Sequence, residues 1–233
     1  MLNPLAMVGI YSFVFGVVFD AQAPIGRSSG VEGFALYLLA GLIPWNFFAL
    51  SCNLGVTAIS SNAALVRRVA FPREVLVFAQ TLQNLVQFGI EITIVCVIFA
   101  FFGSPLLPWL PVVVLTSLLL ALFGTGFALA LSATAVYFRD LPYLWSILIQ
   151  IWFFATPVIY PDTLMDGRGP GWLGTILDIN PMRLCVGIFR DCIYHASNPV
   201  WTHLGVFALY AVVSLAAGWW LFLRMARRFA EEV

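Results

Sequence analysis

Residues 75–137 read VLVFAQTLQNLVQFGIEITIVCVIFAFFGSPLLPWLPVVVLTSLLLALFGTGFALALSATAVY and carry a single charge, Glu91. A helix that crosses the hydrocarbon core of a bilayer needs about 20 mainly apolar residues, so this stretch has room for two. The breakers Gly103-Ser104-Pro105 and Pro108 mark the turn between them. The composition agrees, because 62% of the 233 residues are hydrophobic and 9% are charged, whereas soluble domains carry about 25% charged residues. The sequence therefore predicts an all-α integral membrane protein and excludes a soluble one.

Further apolar segments on either side of this stretch bring the predicted membrane spans to six. The predicted spans are residues 2–19, 34–58, 75–102, 109–137, 141–160 and 202–223, in one membrane domain that covers 1–233. The first could instead be a signal peptide, since Ala21-Gln22-Ala23 looks like a cleavage site. A span is favoured, because the segment lacks a basic n-region and its apolar run exceeds the usual length of about 7 to 15 residues.

The placement of the charges predicts the orientation of the spans. The 11 acidic residues balance the 11 basic residues, which are all arginine, so no net field points to a nucleic-acid partner. If the N-terminus lies inside the cell, the cytoplasmic arginines are Arg67, Arg68, Arg73, Arg139, Arg224, Arg227 and Arg228. The arginines on the outside are then Arg27, Arg168, Arg183 and Arg190. The excess on the inside predicts that both termini are cytoplasmic.

A polar loop follows the second span at residues 59–74, ISSNAALVRRVAFPRE. Residues 60–62 are good N-caps, residues 63–69 can make about two helical turns, and a proline then ends the helix. Such a helix, apolar on one side with Arg67 and Arg68 on the other, suits insertion into a cleft on a partner. The alternative is a lipid-facing loop that merely satisfies the positive-inside rule, and composition alone favours that alternative.

A second polar segment puts Arg139 and Asp140 at the turn between the fourth and fifth spans. Adjacent residues do not face each other on a helix, so a simple helical ion pair is not expected. Either this is a hydrophilic turn, or the two charges pair with other segments.

The third polar segment is residues 161–199, which are outside the cell in the predicted orientation. It opens on a turn-rich stretch, and Asn180-Pro181 then offers an N-cap followed by the proline favoured at the first helical position. The helix after it is amphipathic, with a polar stripe of Arg183, Gly187, Arg190 and Asp191. It is too polar to cross lipid, and fits either the membrane interface or a re-entrant position where protein or water covers the stripe.

The sequence encodes no recognisable catalytic, nucleotide-binding or metal-binding motif, and its four cysteines predict no disulfide. His195 and His203, near an interface, are expected to be surface residues rather than ligands. Glu91 is the one acid deep in a span. It is either a functional residue facing protein or water, or a side chain that is protonated or hydrogen-bonded between helices.

Several short runs occur in the order found in one transporter family. They are Leu2-Asn3-Pro4-Leu5, Gly41-Leu42 to Trp45-Asn46-Phe47-Phe48, Asn62 to Leu65 with Phe71-Pro72-Arg73-Glu74, Tyr137-Phe138-Arg139-Asp140-Leu141, Ala155-Thr156-Pro157-Val158-Ile159-Tyr160-Pro161, and Asn180-Pro181-Met182. Over essentially its whole length the chain resembles the membrane subunit of a type 2 ABC exporter of the polysaccharide and O-antigen export group, which includes related teichoic acid and galactan exporters.

The resemblance implies a homodimer of six-helix subunits in the bacterial inner membrane, with two copies of a separate ATPase on its cytoplasmic face. ATP and Mg would bind that partner, so no cofactor is expected on this chain, and the transported molecule would be a lipid-linked polysaccharide. The resemblance makes residues 59–74 a coupling helix seated on the ATPase. The coupling residues it implies are Asn62, Leu65, Arg67, Arg68, Phe71, Pro72, Arg73, Glu74, Arg139 and Asp140.

The resemblance also implies an outer gate and an aromatic channel. The implied gate residues, in segment 161–199, are Asn180, Pro181, Arg183, Arg190 and Asp191. The implied sugar contacts are Tyr11, Phe15, Trp152, Phe154 and Tyr160. Relatives normally begin with a cytoplasmic gate helix, whereas this sequence opens directly on a span, so either its natural start lies upstream or the gate helix is absent.

Two other functions remain open at this point. The same architecture could serve an ABC exporter of a drug or a lipid. A more distant alternative is an ion-coupled transporter or a membrane enzyme that uses Glu91.

Overall fold

The computed structural model describes residues 10, 13–14, 25–31, 33–69, 71–160 and 179–226, apart from the side chain of Arg67. Helices and turns make up this part of the chain, which contains no strand. The all-α prediction is thereby confirmed for the described residues. Most of the predicted first span lies outside them, as do Tyr11, Phe15, residues 161–178 and the residues after Ala226.

Seven α-helices account for most of the described chain. They are α1 Phe34–Thr57, α2 Ala63–Arg68, α3 Glu74–Phe101, α4 Leu110–Tyr137, α5 Leu141–Ala155, α6 Pro181–Phe189 and α7 Trp201–Ala226. A 3₁₀ turn, Leu107–Trp109, leads into α4, and a π-helical turn, Arg190–Tyr194, continues α6.

Four of these helices are long and apolar enough to cross a bilayer: α1, α3, α4 with its leading turn, and α7. They correspond to the predicted second, third, fourth and sixth spans. Their boundaries lie close to the predicted ones, because the turn signals that divide them are local features of the sequence.

Helix α5 is shorter than the predicted span 141–160. It has 15 residues and ends at Ala155. Pro157 lacks a backbone N–H and disfavours the α conformation at the residue before it, so the helix cannot continue through this point. At 1.5 Å per residue α5 is about 22 Å long, less than the roughly 30 Å of a hydrocarbon core. The prediction of a helix up to residue 160 is wrong in its last turn.

The chain divides into two compact units. The first takes its described residues from Met1–Asn46, Phe88–Ser117 and Trp152–Phe207, and the second from Phe47–Gln87, Leu118–Ile151 and Ala208–Val233. Because α1, α3, α4, α5 and α7 pass a boundary, each contributes residues to both units.

Small residues bring α4 and α7 together in the second unit. A Cβ atom added at Gly218 would lie 2.0 Å from the carbonyl oxygen of Gly126, and one added at Gly126 would lie 2.3 Å from the carbonyl carbon of Ser214. The Ser214 hydroxyl donates a 3.0 Å hydrogen bond to the carbonyl of Phe123. Close backbone approach at small residues is a common way for helices to associate in lipid, where no hydrophobic effect drives them together.

Replacing Gly218 with alanine is expected to destabilise the protein by about 1–3 kcal/mol, because the added methyl group meets backbone rather than a movable side chain. The measurement is thermal unfolding of the purified protein in detergent. Gly205→Ala, on the same helix, is the control, since a Cβ there meets no atom within 4 Å. Equal melting temperatures for the two variants would contradict the packing described.

Candidate functional site

The polar residues after α1 complete the end of that helix. The hydroxyls of Ser60 and Ser61 donate to the carbonyl of Thr57 at 3.2 and 2.7 Å. The Asn62 side-chain amide donates to the carbonyl of Ala58 at 2.9 Å. The last carbonyls of a helix have no partner inside it, so these donors satisfy groups that would otherwise be open. Asn62 occupies the predicted N-cap position of α2, but its side chain forms no capping bond to the start of that helix.

Helix α2 presents one apolar side chain to the protein and others to the exterior. Val66 is buried in an apolar cluster formed with the two residues that follow α1 and with residues of α3, α4 and α7, and Phe71 packs against the same cluster. Leu65 and Val69 are 44% and 51% exposed, and Arg68 is exposed beside them. The surface of α2 that is open to a partner is therefore mixed, with two aliphatic side chains next to a cation. We call Leu65, Arg68 and Val69 the α2 surface.

The loop after α2 is tied to the end of α7. A guanidinium N–H of Arg73 donates to the carbonyl of Ala226 at 2.6 Å, and the Tyr137 hydroxyl donates to the carbonyl of Met225 at 2.9 Å. Glu74 lies in the first turn of α3, where a carboxylate is favoured by the helix dipole. Arg73, which was predicted to contact the ATPase, thus holds two elements of this chain together.

The other predicted coupling residues are on the surface. Pro72, Arg139 and Asp140 are all exposed, the last two at the turn between α4 and α5. The structure therefore brings Asn62 to Glu74 together in one loop of the second unit and leaves the charged turn accessible to a partner.

In the first unit, Asn180 joins the start of α6 to the end of α5. Its side-chain oxygen accepts hydrogen bonds from the Met182 backbone N–H and from the Trp152 indole N–H, both at 3.0 Å. Its amide donates to the carbonyl of Ala155 at 3.2 Å and to the Thr156 hydroxyl at 3.0 Å. The predicted N-cap is confirmed, and the same side chain satisfies groups on a second helix.

Arg190, predicted to belong to a polar stripe with Arg183 and Asp191, is buried at 5% exposure. Its guanidinium donates to the carbonyls of Pro157 and Val158. Arg183 and Asp191 are half-buried. Protein therefore covers much of the polar side of the helix, which favours the re-entrant alternative over a helix lying at the interface.

His195 is also buried, contrary to the expectation of a surface histidine. Its Nδ1 accepts a 3.3 Å hydrogen bond from the backbone N–H of Arg27, and its carbonyl accepts one from Ser28 at 3.0 Å. Burial first, and then the positive charges of Arg27 and Arg190, lower the pKa of His195 to about 4. The ring is thus neutral near pH 7 and can accept this bond, whereas His203 is exposed.

The predicted sugar contacts within the described residues differ in accessibility. Trp152 is half-buried and packs edge-on against Trp45 with ring centres 6.5 Å apart. Phe154 is 59% exposed, and the Tyr160 hydroxyl donates to its carbonyl at 2.9 Å. Phe154 and Tyr160 are therefore placed together, whereas the indole N–H of Trp152 is used by Asn180.

Three residues on α1 were not predicted to belong to the site. The Tyr37 ring lies 3.9 Å from the guanidinium carbon of Arg190, Gly41 packs against the same group, and Trp45 meets Trp152. Their spacing of four residues places them on one face of α1, which was the available sequence signal.

Glu91 is half-buried in α3. Among the described residues no group of histidine, cysteine, aspartate or glutamate is arranged to hold a metal ion.

Several apolar helices of spanning length define the chain as an α-helical integral membrane protein. Residues 1–194 match the family model described as ABC-2 type transporter. The chain belongs to this family, which is one of transporter permeases and not of enzymes.

Relatives within the family cover nearly the whole chain. The O-antigen export system permease protein RfbA of Myxococcus xanthus is 31% identical over an aligned length of 240 residues, which covers 100% of this chain and 85% of that protein. Two proteins of the same name from Klebsiella pneumoniae are each 25% identical over 230 residues, which are 98% of this chain and 84% of theirs. The family resemblance noted in the sequence is thus confirmed.

Asn180→Ala is expected to destabilise the protein by about 3 kcal/mol, because it removes an N-cap and leaves buried donors and acceptors unpaired. Thermal unfolding in detergent measures the loss. Asn198→Ala is the matched control, because Asn198 is also followed by a proline but is exposed. A similar small loss for both variants would contradict the role of Asn180.

The stability of the first unit is expected to fall as the pH drops from about 6.5 towards 4. The unfolded chain takes up a proton on His195 below about pH 6.5, whereas the folded state resists protonation until about pH 4. His195→Asn retains an acceptor without titrating, so its melting temperature should decline less than that of the wild type over this range. His203→Asn should follow the wild type, and parallel pH profiles for all three proteins would refute the prediction.

Proposed function

We propose that this chain is the membrane subunit of an ATP-driven exporter that moves a lipid-linked polysaccharide across the bacterial inner membrane. It works as a homodimer with two copies of a separate ATPase. The observation that carries the proposal is the 31% identity, over the whole chain, to a protein named as an O-antigen export system permease. Membership of the ABC-2 type transporter family supports the transport class.

The separate ATPase follows from the sequence. A P-loop needs the pattern G-x-x-x-x-G-K-[ST], whose lysine contacts the nucleotide phosphates. The chain contains no lysine at all, since its 11 basic residues are arginines. ATP and Mg therefore bind the partner, and this chain supplies the path through the membrane.

The α2 surface is the proposed contact with the ATPase. Leu65 is on α2, and Val69 directly follows the helix, with its backbone N–H bonded to the carbonyl of Leu65. Both side chains are about half-exposed, so together they offer an aliphatic ridge to a cleft. Arg68 adds a cation to that ridge. Val66 packs in the cluster beneath it, so a push on α2 is passed to the helices around that cluster. The exposed Arg139 and Asp140 supply a second, charged contact.

Phe154 and Tyr160 are the proposed sugar contacts. Phe154 is exposed and Tyr160 is half-buried, and a hydrogen bond keeps the two residues next to each other. An aromatic face offers a sugar ring apolar contact without a fixed hydrogen-bond register, so a polymer can slide past it. Helix α6, held to the end of α5 through Asn180, is the proposed outer gate beside this path.

The charge reversal Arg68→Glu combined with Leu65→Asp is expected to reduce copurification of the ATPase at least about tenfold, because it removes both components of the α2 surface. Arg27→Glu is the matched control, since it reverses an exposed arginine on the opposite predicted side. Copurification is measured from cells that express both subunits. Undiminished copurification of the double variant, with the control also normal, would rule out the α2 surface as the contact.

The same purified complex, reconstituted in vesicles, tests the substrate class through its ATPase rate. Added lipid-linked polysaccharide should raise the rate, while drugs and simple phospholipids should not. Stimulation by a drug or a simple lipid alone would instead identify another type 2 exporter.

A further inference from the structure

Both ends of α6 are bonded to one short turn. The turn is residues 155–158, where α5 stops. Asn180, the N-cap of α6, reaches it from one end of the helix, with bonds to Ala155 and Thr156. Arg190 reaches it from the other end, with bonds to Pro157 and Val158. Helix α6 is therefore held to the end of α5 at both of its own ends.

The two attachments differ in what else they touch. Asn180 bonds within α6 and the end of α5, and its oxygen and nitrogen each have two partners. Arg190 extends further, because its guanidinium also lies over the ring of Tyr37 on α1. Arg190 thus joins three elements, α1, α6 and the turn after α5.

Gly41 makes room for the guanidinium on α1. A Cβ atom at Gly41 would lie 2.8 Å from one guanidinium nitrogen of Arg190 and 3.2 Å from its central carbon. Both distances are too short for an unstrained methyl group, so a side chain at position 41 would displace the guanidinium from this seat on α1. Tyr37 and Gly41 are one turn apart, so they form two walls of the same seat on α1.

The guanidinium of Arg190 favours two discrete positions, either fully seated against α1 or fully withdrawn from it. A buried cation is costly unless it is hydrogen-bonded, so Arg190 is stable when seated and unstable when half-withdrawn. Two of its bonds are to peptide carbonyls near the negative end of the α5 dipole. Arg190 also lies in a π-helical turn, a geometry that is frequent at functional sites.

We propose that Arg190 is a latch between α6 and α1. Seated against Tyr37 and Gly41, it holds α6 closed. Opening withdraws the guanidinium from α1 and from the carbonyls of Pro157 and Val158, while Asn180 keeps α6 attached to the turn after α5 and serves as the hinge. Arg190 is a positioning residue, since it acts through α6. The proposal rests on the assignment of α6 as the outer gate.

Cys192 reports the state of the latch, because it lies in the same π-helical turn and is 0% exposed. The probe is a hydrophilic maleimide, applied to the detergent-purified full chain in which the other three cysteines are alanine. Gly41→Ala and Arg190→Gln are expected to speed labelling of Cys192 at least about tenfold. Gly187→Ala should leave the rate unchanged, because a Cβ there meets no atom within 4 Å.

Two comparisons separate a latch from general loosening of the fold. Tyr37→Leu removes the aromatic face under the guanidinium and should label like Gly41→Ala. In a background that retains Cys52, which is buried in the second unit, Gly41→Ala should not change labelling. Faster labelling of Cys52 would overturn the latch, as would slow labelling of Cys192 in Gly41→Ala. If Arg190→Gln does not accumulate, Gly41→Ala carries the test, since it keeps the arginine.

The response to ATP separates this inference from the proposed function. In the complex with the ATPase, ATP should speed labelling of Cys192 in the wild type, and Gly41→Ala should already be fast without it. One outcome would support the latch and overturn ATP-driven gating. In it, Gly41→Ala labels Cys192 fast with or without ATP, and ATP does not change the labelling rate of the wild type.

Discussion

The end of α5 is the constraint on which the arrangement of the first unit depends. Pro157 cannot continue the helix, so the carbonyl groups at this end must find donors elsewhere. Water is scarce in a chain that is mostly apolar and membrane-embedded, and a buried carbonyl without a partner is costly. Asn180 and Arg190 supply the donors, and both are on the segment that carries α6. The position of α6 therefore follows from one helix end.

The second unit obeys the same rule at two other helix ends. Ser60, Ser61 and Asn62 donate to the last carbonyls of α1, while Arg73 and Tyr137 donate to those of α7. Since these polar side chains are used within the protein, the part of the loop open to a partner is smaller than its sequence indicates. The polar side chains at these helix ends are thus used inside the protein, and the α2 surface remains exposed.

Prediction from the sequence succeeded where the deciding signal was local. The four long helices are set by apolar runs bounded by turn residues, and the Asn180-Pro181 cap acts within two residues of itself. It failed where a side chain had two partners to choose from. The side chains of Ser60, Ser61 and Asn62 could bond to the helix before them or to the helix after them. In the structure they donate to carbonyls at the end of α1. His195 was expected at the surface, yet it is buried. Its ring accepts a hydrogen bond from the backbone N–H of Arg27, 168 residues away.

The sequence by itself determined the helical class, the main membrane helices, the family and the lack of a P-loop pattern, because these depend on composition and on order along the chain. The tertiary structure alone decided the partners of Arg190 and the accessibility of the α2 surface. Arg190 and Pro157 are 33 residues apart, and Tyr37 is further still. Hydropathy describes whether a side chain prefers water or lipid, but not which distant backbone group it meets. The role of a buried cation depends on the groups that it contacts, because its charge must be paired wherever the fold places it.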